Sequence, residues 1–277
     1  MTHDIILANG RRLSFATPLT MGIVNCTPDS FAVRCETPDD AIACARRMID
    51  EGADIIDIGG ESSRPGSDPV SVEEELRRVL PVIEKIRAGS DIPISIDTTK
   101  AEVAEKALTA GVDIINDISA LAFDPGMAAV GVRFDCPVVL MHIKGRPKTM
   151  QNDPQYDDVI GEVSAYFAER MTYAAAQGIA ERKLILDVGI GFGKRRTDNM
   201  TLIRHMSAFK GFGRPLMVGA SRKRFIGELT GLPEDQRVFG SVAVAALAVH
   251  CGADIVRVHD VAATRQAVTM AAAIGEV

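Results

Sequence analysis

The sequence predicts an α/β protein, a (β/α)8 barrel forming one domain over residues 1–277. Three observations lead there. A phrase recurs three times, as Gly52-Ala53-Asp54-Ile55-Ile56, Gly111-Val112-Asp113-Ile114-Ile115 and Gly252-Ala253-Asp254-Ile255-Val256. In each copy a helix stops at glycine, a small residue and an aspartate turn the chain, and a β-branched strand begins. Second, eight short apolar runs alternate with helical segments, about one unit per 30 residues, which suits a closed barrel of parallel strands. Third, the long irregular stretches, 27–38, 61–69, 143–155 and 189–198, all follow strands. In such folds the loops after the strands carry the chemistry. An open doubly wound sheet is the runner-up, but no G-x-G-x-x-G follows the first strand.

The strands are read in order at 20–25, 55–59, 93–97, 114–118, 137–142, 184–187, 216–219 and 255–259. Most are continuous apolar runs, the pattern of a parallel sheet covered on both faces. Between them, residues 39–51 place Ile42, Ala45, Met48 and Ile49 on one helical face. Residues 71–87 do the same with Leu76, Val79, Leu80, Ile83 and Ile86, and Ser71 with Glu74 reads as a capping-box start. A long amphipathic helix is expected over 156–177, stopped by Gly178. Residues 241–251 are nearly all small or apolar, the composition of a tightly packed or interfacial helix.

Composition narrows the function. The chain is 47% hydrophobic with a net charge of −6, no Trp and three Tyr. That balance argues against nucleic acid as a partner, since neither a basic surface nor a stacking platform is available. No apolar run approaches the roughly 18 residues of a membrane span. The N-terminus has no secretory pattern. Five cysteines without C-x-x-C spacing read as reduced thiols of a cytoplasmic protein.

The strand ends carry the candidate chemistry: Asn25, Glu61 to Arg64, Asp97, Asn116, His142, Asp187, Lys223, Arg257 and His259. Two characters separate. Asp97, Asn116 and Asp187 sit in or directly after β-branched runs, where a polar side chain must find partners. Their carboxylate and amide edges suit a heterocycle rich in N–H donors and ring nitrogens. Arg64, Lys223, Arg257 and His259 are cationic or proton-bearing and suit phosphate oxygens. An acidic protein that gathers positive charge at one barrel end favours an anionic, phosphorylated substrate. Lys144, Arg146, Lys148, Arg195, Arg196 and Arg224 read as solvated loop charge. The run Gly189-Ile190-Gly191-Phe192-Gly193-Lys194 is glycine-rich but lacks Walker spacing, and it could present Phe192 for stacking. No second His or Cys stands at zinc-ligand spacing from His142. A magnesium ion on phosphate oxygens and one amide oxygen fits better.

Taken together, several blocks resemble the dihydropteroate synthase family. They are Met21-Gly22-Ile23-Val24-Asn25-Cys26-Thr27-Pro28-Asp29-Ser30-Phe31, Asp57-Ile58-Gly59-Gly60-Glu61-Ser62-Ser63-Arg64-Pro65-Gly66, Ser95-Ile96-Asp97-Thr98 and Asn116-Asp117-Ile118. Leu140-Met141-His142, the run 145–151, Leu186-Asp187, Gly191-Phe192-Gly193-Lys194, Ser221-Arg222-Lys223 and Arg257-Val258-His259-Asp260 continue the match in order. The resemblance implies condensation of 6-hydroxymethyl-7,8-dihydropterin pyrophosphate with 4-aminobenzoate, with release of pyrophosphate. It implies Asp97, Asn116, Asp187 and Lys223 as the pterin pocket, and Ser63, Arg64, Arg257 and His259 as pyrophosphate ligands. Asn25 is implied as a Mg2+ ligand. Phe31, Pro65, Phe192, Ser221 and Lys223 are implied around the aminobenzoate. It further implies a homodimer, with 241–251 as a pairing helix.

There are three departures from the family pattern. After Asp29-Ser30-Phe31 the family usually has Ser-Asp-Gly-Gly, whereas this chain has Ala32-Val33-Arg34-Cys35. That loop is implied to close over the aminobenzoate, so the departure bears on second-substrate affinity and sulfonamide sensitivity. Ser63 stands where Thr is usual and keeps the hydroxyl, and Val188 stands where Pro is usual. Two other readings share parts of the pattern. One is the pterin-binding methyltransferase domain of corrinoid systems, which the Ser221-Arg222-Lys223 block and the Arg257/His259 pair disfavour. The other is a paralogue that binds pterin without turnover, supported by the altered loop.

Overall fold

The computed structural model describes residues 4–27 and 37–275. A two-stranded antiparallel hairpin, β1 (Ile5–Ile6) and β2 (Arg12–Leu13), precedes the barrel. Eight parallel strands then close on one another: β3 (Leu19–Asn25), β4 (Ile55–Gly59), β5 (Ile94–Asp97), β6 (Ile114–Asp117), β7 (Val138–Met141), β8 (Leu184–Asp187), β9 (Leu216–Val218) and β10 (Ile255–Val258). This is the TIM barrel expected, and each strand lies within about a residue of its predicted bounds. The helices around it are α1 (Pro38–Asp50), α2 (Val72–Arg87), α3 (Ala101–Thr109), α4 (Met127–Arg133), α5 (Val159–Ala176), α6 (Arg196–Arg204), α7 (Arg224–Thr230), α8 (Val238–His250) and α9 (Val261–Gly275). The N-terminal hairpin has no apolar run long enough to announce it.

The two faces of each strand do different work. Ile56, Ile58, Ile94, Ile96, Leu140, Leu186, Val218 and Val256 pack outward with the helices in one apolar cluster. Met21, Ile55, Ile114, Val139, Ile185, Met217 and Ile255 form a separate inner layer, closed from below by Ile5, Leu7 and Leu13 of the hairpin. Side chains alternate along a strand, so the next inward position lies two residues on. There the apolar layer gives way to Asp57, Asn116, Asp187 and Arg257, two residues after Ile55, Ile114, Ile185 and Ile255. The barrel is therefore oily at its N-terminal half and polar at its C-terminal mouth.

The repeated phrase builds the opposite end. Gly52, Gly111 and Gly252 adopt φ of +90°, +104° and +110°, a conformation that stops a helix cheaply only with glycine. Each following aspartate grips the neighbouring strand. Asp54 accepts from Thr20 N–H at 2.8 Å, Asp113 from Ile94 N–H at 2.9 Å and Asp254 from Leu216 N–H at 2.8 Å. Each also meets a cation, Arg265, Arg87 and Lys210 respectively. The expected capping box at Ser71 is only half made. Ser71 Oγ accepts from Glu74 N–H, but the Glu74 carboxylate turns to Arg77 and Arg78, which offer charged donors at 2.7–2.8 Å. The complete box is at Thr37 and Asp40, ahead of α1.

Candidate active site

The strand register lines up the first site residues. Asn25 pairs in register with Gly59, Gly59 with Asp97 and Asp97 with Asn116. Above this row lies a cavity of about 530 Å3. Asn25, Ser63, Arg64, Pro65, Asp97, Ser221, Lys223, Arg257 and His259 all border it. Asn116 and Asp187 are buried in the adjoining barrel mouth, 2% and 4% exposed. Phe31 and the loop Ala32 to Cys35 fall outside the described residues.

Arg257 joins the two chemical sets. Its Nε donates to Asp57 Oδ2 at 2.6 Å and its Nη2 to Asp97 Oδ2 at 2.6 Å. Asn116 Nδ2 donates to the Asp57 carboxylate at 3.2 and 3.3 Å. Asp57 is thus the hub that orients both Arg257 and Asn116, and it was not among the predicted site residues. Its signal was present: a carboxylate inside Ile55-Ile56-Asp57-Ile58 is costly unless paired. Burial lifts the Asp97 carboxyl to about 7, with Asp57 adding and Arg257 opposing. Burial also raises Asp187, which accepts from Gly189 N–H at 2.8 Å. Lys223 is pushed down to about 8 by burial and then by Arg257. The Lys223 Nζ lies 4.1 Å from the centroid of the Phe192 ring, which is buried in a cluster with Ile143 and Met150 and does not itself border the cavity.

His259 works as a neutral group. Burial and the nearby Arg257 hold it down to about 3. Ser221 Oγ accepts from His259 N–H at 3.2 Å and lies 3.0 Å from Nδ1. A hydroxyl that already accepts from the backbone has its one proton free for Nδ1, which leaves the imidazole proton on Nε2.

His142 does not reach the cavity, contrary to its place among the strand-end residues. It is buried edge-on against Tyr166 at 4.8 Å, with Lys194 Nζ 2.8 Å from Nδ1. Lys194 is the second residue the sequence reading missed. It is 3% exposed and also donates to the carbonyls of Gly189 and Phe192 at 2.9 and 3.1 Å. It thereby ties the glycine-rich loop to the strand β7 exit. Glycine is required there: a Cβ on Gly189 would sit 2.0 Å from the His142 carbonyl oxygen, and φ is +66°.

Three of the charges read as solvated, Arg195, Arg196 and Arg224, are exposed and also border the cavity. Lys148 fits the solvated reading, paired with Asp68 at the surface. Nine lysines and arginines line the cavity against four carboxylates, in a protein of net charge −6. Such a wall attracts anions. For a divalent ion the donor set is thin. Among the described residues no group of three or more His, Cys, Asp or Glu could hold a metal. Asn25 offers an amide oxygen at the cavity edge, and its side chain makes no hydrogen bond among the described residues. That suits Mg2+, which keeps waters and takes substrate oxygens, and not zinc.

Comparison with known proteins identifies relatives of the whole barrel. The chain matches the pterin binding enzyme family over residues 21–259. It is 48% identical over 257 residues to the dihydropteroate synthase of Synechocystis sp., covering 92% of this chain and 89% of that protein. The crystal structure of Yersinia pestis dihydropteroate synthase with a sulfonamide drug superposes with a TM-score of 0.94 at 43% identity, covering 100% of this chain and 99% of that one. Xanthomonas albilineans dihydropteroate synthase with 4-aminobenzoic acid superposes with a TM-score of 0.92 at 46% identity, covering 100% of both chains.

Proposed function

The chain belongs to the pterin binding enzyme family, and we propose that it carries out the dihydropteroate synthase reaction in folate biosynthesis. It is a transferase: 6-hydroxymethyl-7,8-dihydropterin pyrophosphate and 4-aminobenzoate give 7,8-dihydropteroate and pyrophosphate. The observation that carries this reading is Arg257, which binds the acceptor floor while bordering the cationic cavity. One site then offers edges for a pterin and charge for a diphosphate.

The chemistry follows from the placement. Asp97, Asn116 and Asp187 accept from and donate to the pterin edge. The bond between the pterin methylene carbon and its oxygen breaks, and both electrons leave with pyrophosphate. The electron-rich ring spreads the resulting positive charge, and the Asp97 and Asp187 carboxylates stabilise it electrostatically. The leaving group is held by Arg64, Lys223, the neutral Nε2–H of His259, and Arg257, whose Nη1 makes no hydrogen bond among the described residues. The arylamine nitrogen, placed near Phe192 and Lys223, then bonds to the carbon, and its proton passes to pyrophosphate or water. No covalent enzyme intermediate is needed. Mg2+, held by phosphate oxygens and Asn25, would supply further charge neutralisation on the leaving group.

The test is turnover of the two substrates with Mg2+, followed by mass spectrometry. Product that disappears in Lys223→Ala supports the reading. Absence of product from the unaltered chain, with measurable binding of the pterin substrate, would refute it.

We also propose a homodimer in the cytoplasm. For pairing, α8 and α9 expose Phe239 (87%), Leu247 (57%), Met270 (59%) and Ile274 (63%), a sizeable apolar face for a monomer. For the compartment, Cys26, Cys136 and Cys251 carry free thiols, and no described helix is long and apolar enough to cross a membrane.

A further inference from the structure

Arg64 does not wait free for its anion. Its Nη2 donates to Glu234 Oε1 at 2.7 Å, across the cavity mouth and 170 residues away in sequence. Arg64 stands on the loop after β4, and Glu234 opens the short 3-10 turn Glu234–Gln236 between α7 and α8. Both residues border the cavity. The turn is held in place from behind. Arg237 Nε donates to the Leu232 carbonyl at 3.0 Å and its Nη1 to the Arg222 carbonyl at 3.0 Å. That brace fixes the turn carrying Glu234 to the loop that ends in Lys223.

We propose that Glu234 is a positioning residue for the pyrophosphate site, an internal carboxylate that holds the Arg64 guanidinium toward the mouth and competes with the diphosphate for it. The proposal rests on the reading of Arg64 as an anion ligand. A carboxylate and a phosphate offer guanidinium the same pair of acceptor oxygens, so one displaces the other on equal geometry. Each binding event must break the Arg64–Glu234 pair, and each release of pyrophosphate reforms it. Glu234 therefore lowers affinity for the anion that is common to substrate and product, and it favours release. Arg64 and Glu234 are each about a third exposed, with side chains 39% and 31% accessible, so the competition is a modest one.

The probe is inorganic pyrophosphate with Mg2+, titrated into the full chain by calorimetry. Glu234→Gln keeps the shape of the side chain and removes its charge. We expect pyrophosphate to bind roughly two- to five-fold tighter, the range of an exposed ion pair. The gain should shrink at high salt. It should vanish when Arg64→Ala is also present. Glu228→Gln is the control, because Glu228 borders the same cavity but pairs with Arg224. It should change affinity by much less. Unaltered affinity in Glu234→Gln, or a gain that survives Arg64→Ala or is matched by Glu228→Gln, would overturn the proposal. If Arg64→Ala alone leaves pyrophosphate binding unchanged, the failure lies in the anion-site reading of Arg64 itself.

Discussion

Asp97 and Lys223 are half-buried side chains of opposite charge whose protonation, in the proposed reaction, would set when the site works. In the proposed reaction Asp97 would accept pterin N–H groups only as a carboxylate, and burial lifts it to about 7. Lys223 attracts an anion only as an ammonium, and burial lowers it to about 8. The free enzyme then has its working form above the first value and below the second. We expect kcat/KM for the pterin substrate to rise through about 7 and fall through about 8. Lys223→Arg should remove the falling limb, because guanidinium keeps its charge. A profile that stays flat across both values would exclude these two groups as the titrating pair. Single-residue logic worked best where cost is highest. Asn116, Asp187 and Asp97 were legible because polar groups inside apolar strands demand a reason. Asp57 obeyed the same rule and was passed over, since its partners lie on other strands.

The three glycine–aspartate turns are the element-scale counterpart of the site. They sit at the N-terminal end of the barrel, away from the cavity, where they knit each strand to its neighbour. They are not equivalent. Asp113 is 1% exposed and receives Ile94 N–H, Arg87 and Asn9, whereas Asp254 is 21% exposed and faces Lys210. Asp113→Ala takes the carboxylate partner from a largely buried Arg87, which keeps the Gly111, Ser90 and Ile92 carbonyls, and should cost about 3 kcal/mol. Asp254→Ala should cost about 1–2 kcal/mol. Urea unfolding would measure both, with kcat of the folded fraction unchanged. Equal losses at the two positions would show that burial does not rank these clamps. The turns were legible as turns from their glycines. Their strength was not, because a buried acceptor is defined by what covers it. The half-made box at Ser71 teaches the same: the motif was present, and two arginines one turn on drew Glu74 away.

At the scale of the molecule, barrel closure leaves α8 and α9 packed against each other with their outer faces apolar. We expect sedimentation to give a dimer, and Leu247→Glu to give a monomer that keeps its fold, since Leu247 is 57% exposed. A monomer in the unaltered chain would remove the pairing proposal. The helix at 241–251 was read as packed or interfacial from its small residues alone, and it lies within α8.

The sequence by itself determined the order of strands and helices, because hydrophobic periodicity and glycine stops are local. It also determined which strand ends carry charge. Tertiary structure alone decided the pairings. Arg257 meets an aspartate 200 residues away because closing the barrel brings β10 beside β3 and β3 beside β4. Arg64 meets Glu234 for a similar reason, and Lys194 finds His142 because β7 and β8 are neighbours. Periodicity says which way a side chain points. Only the closed ring says what it points at, and at a barrel mouth that second fact sets protonation and charge.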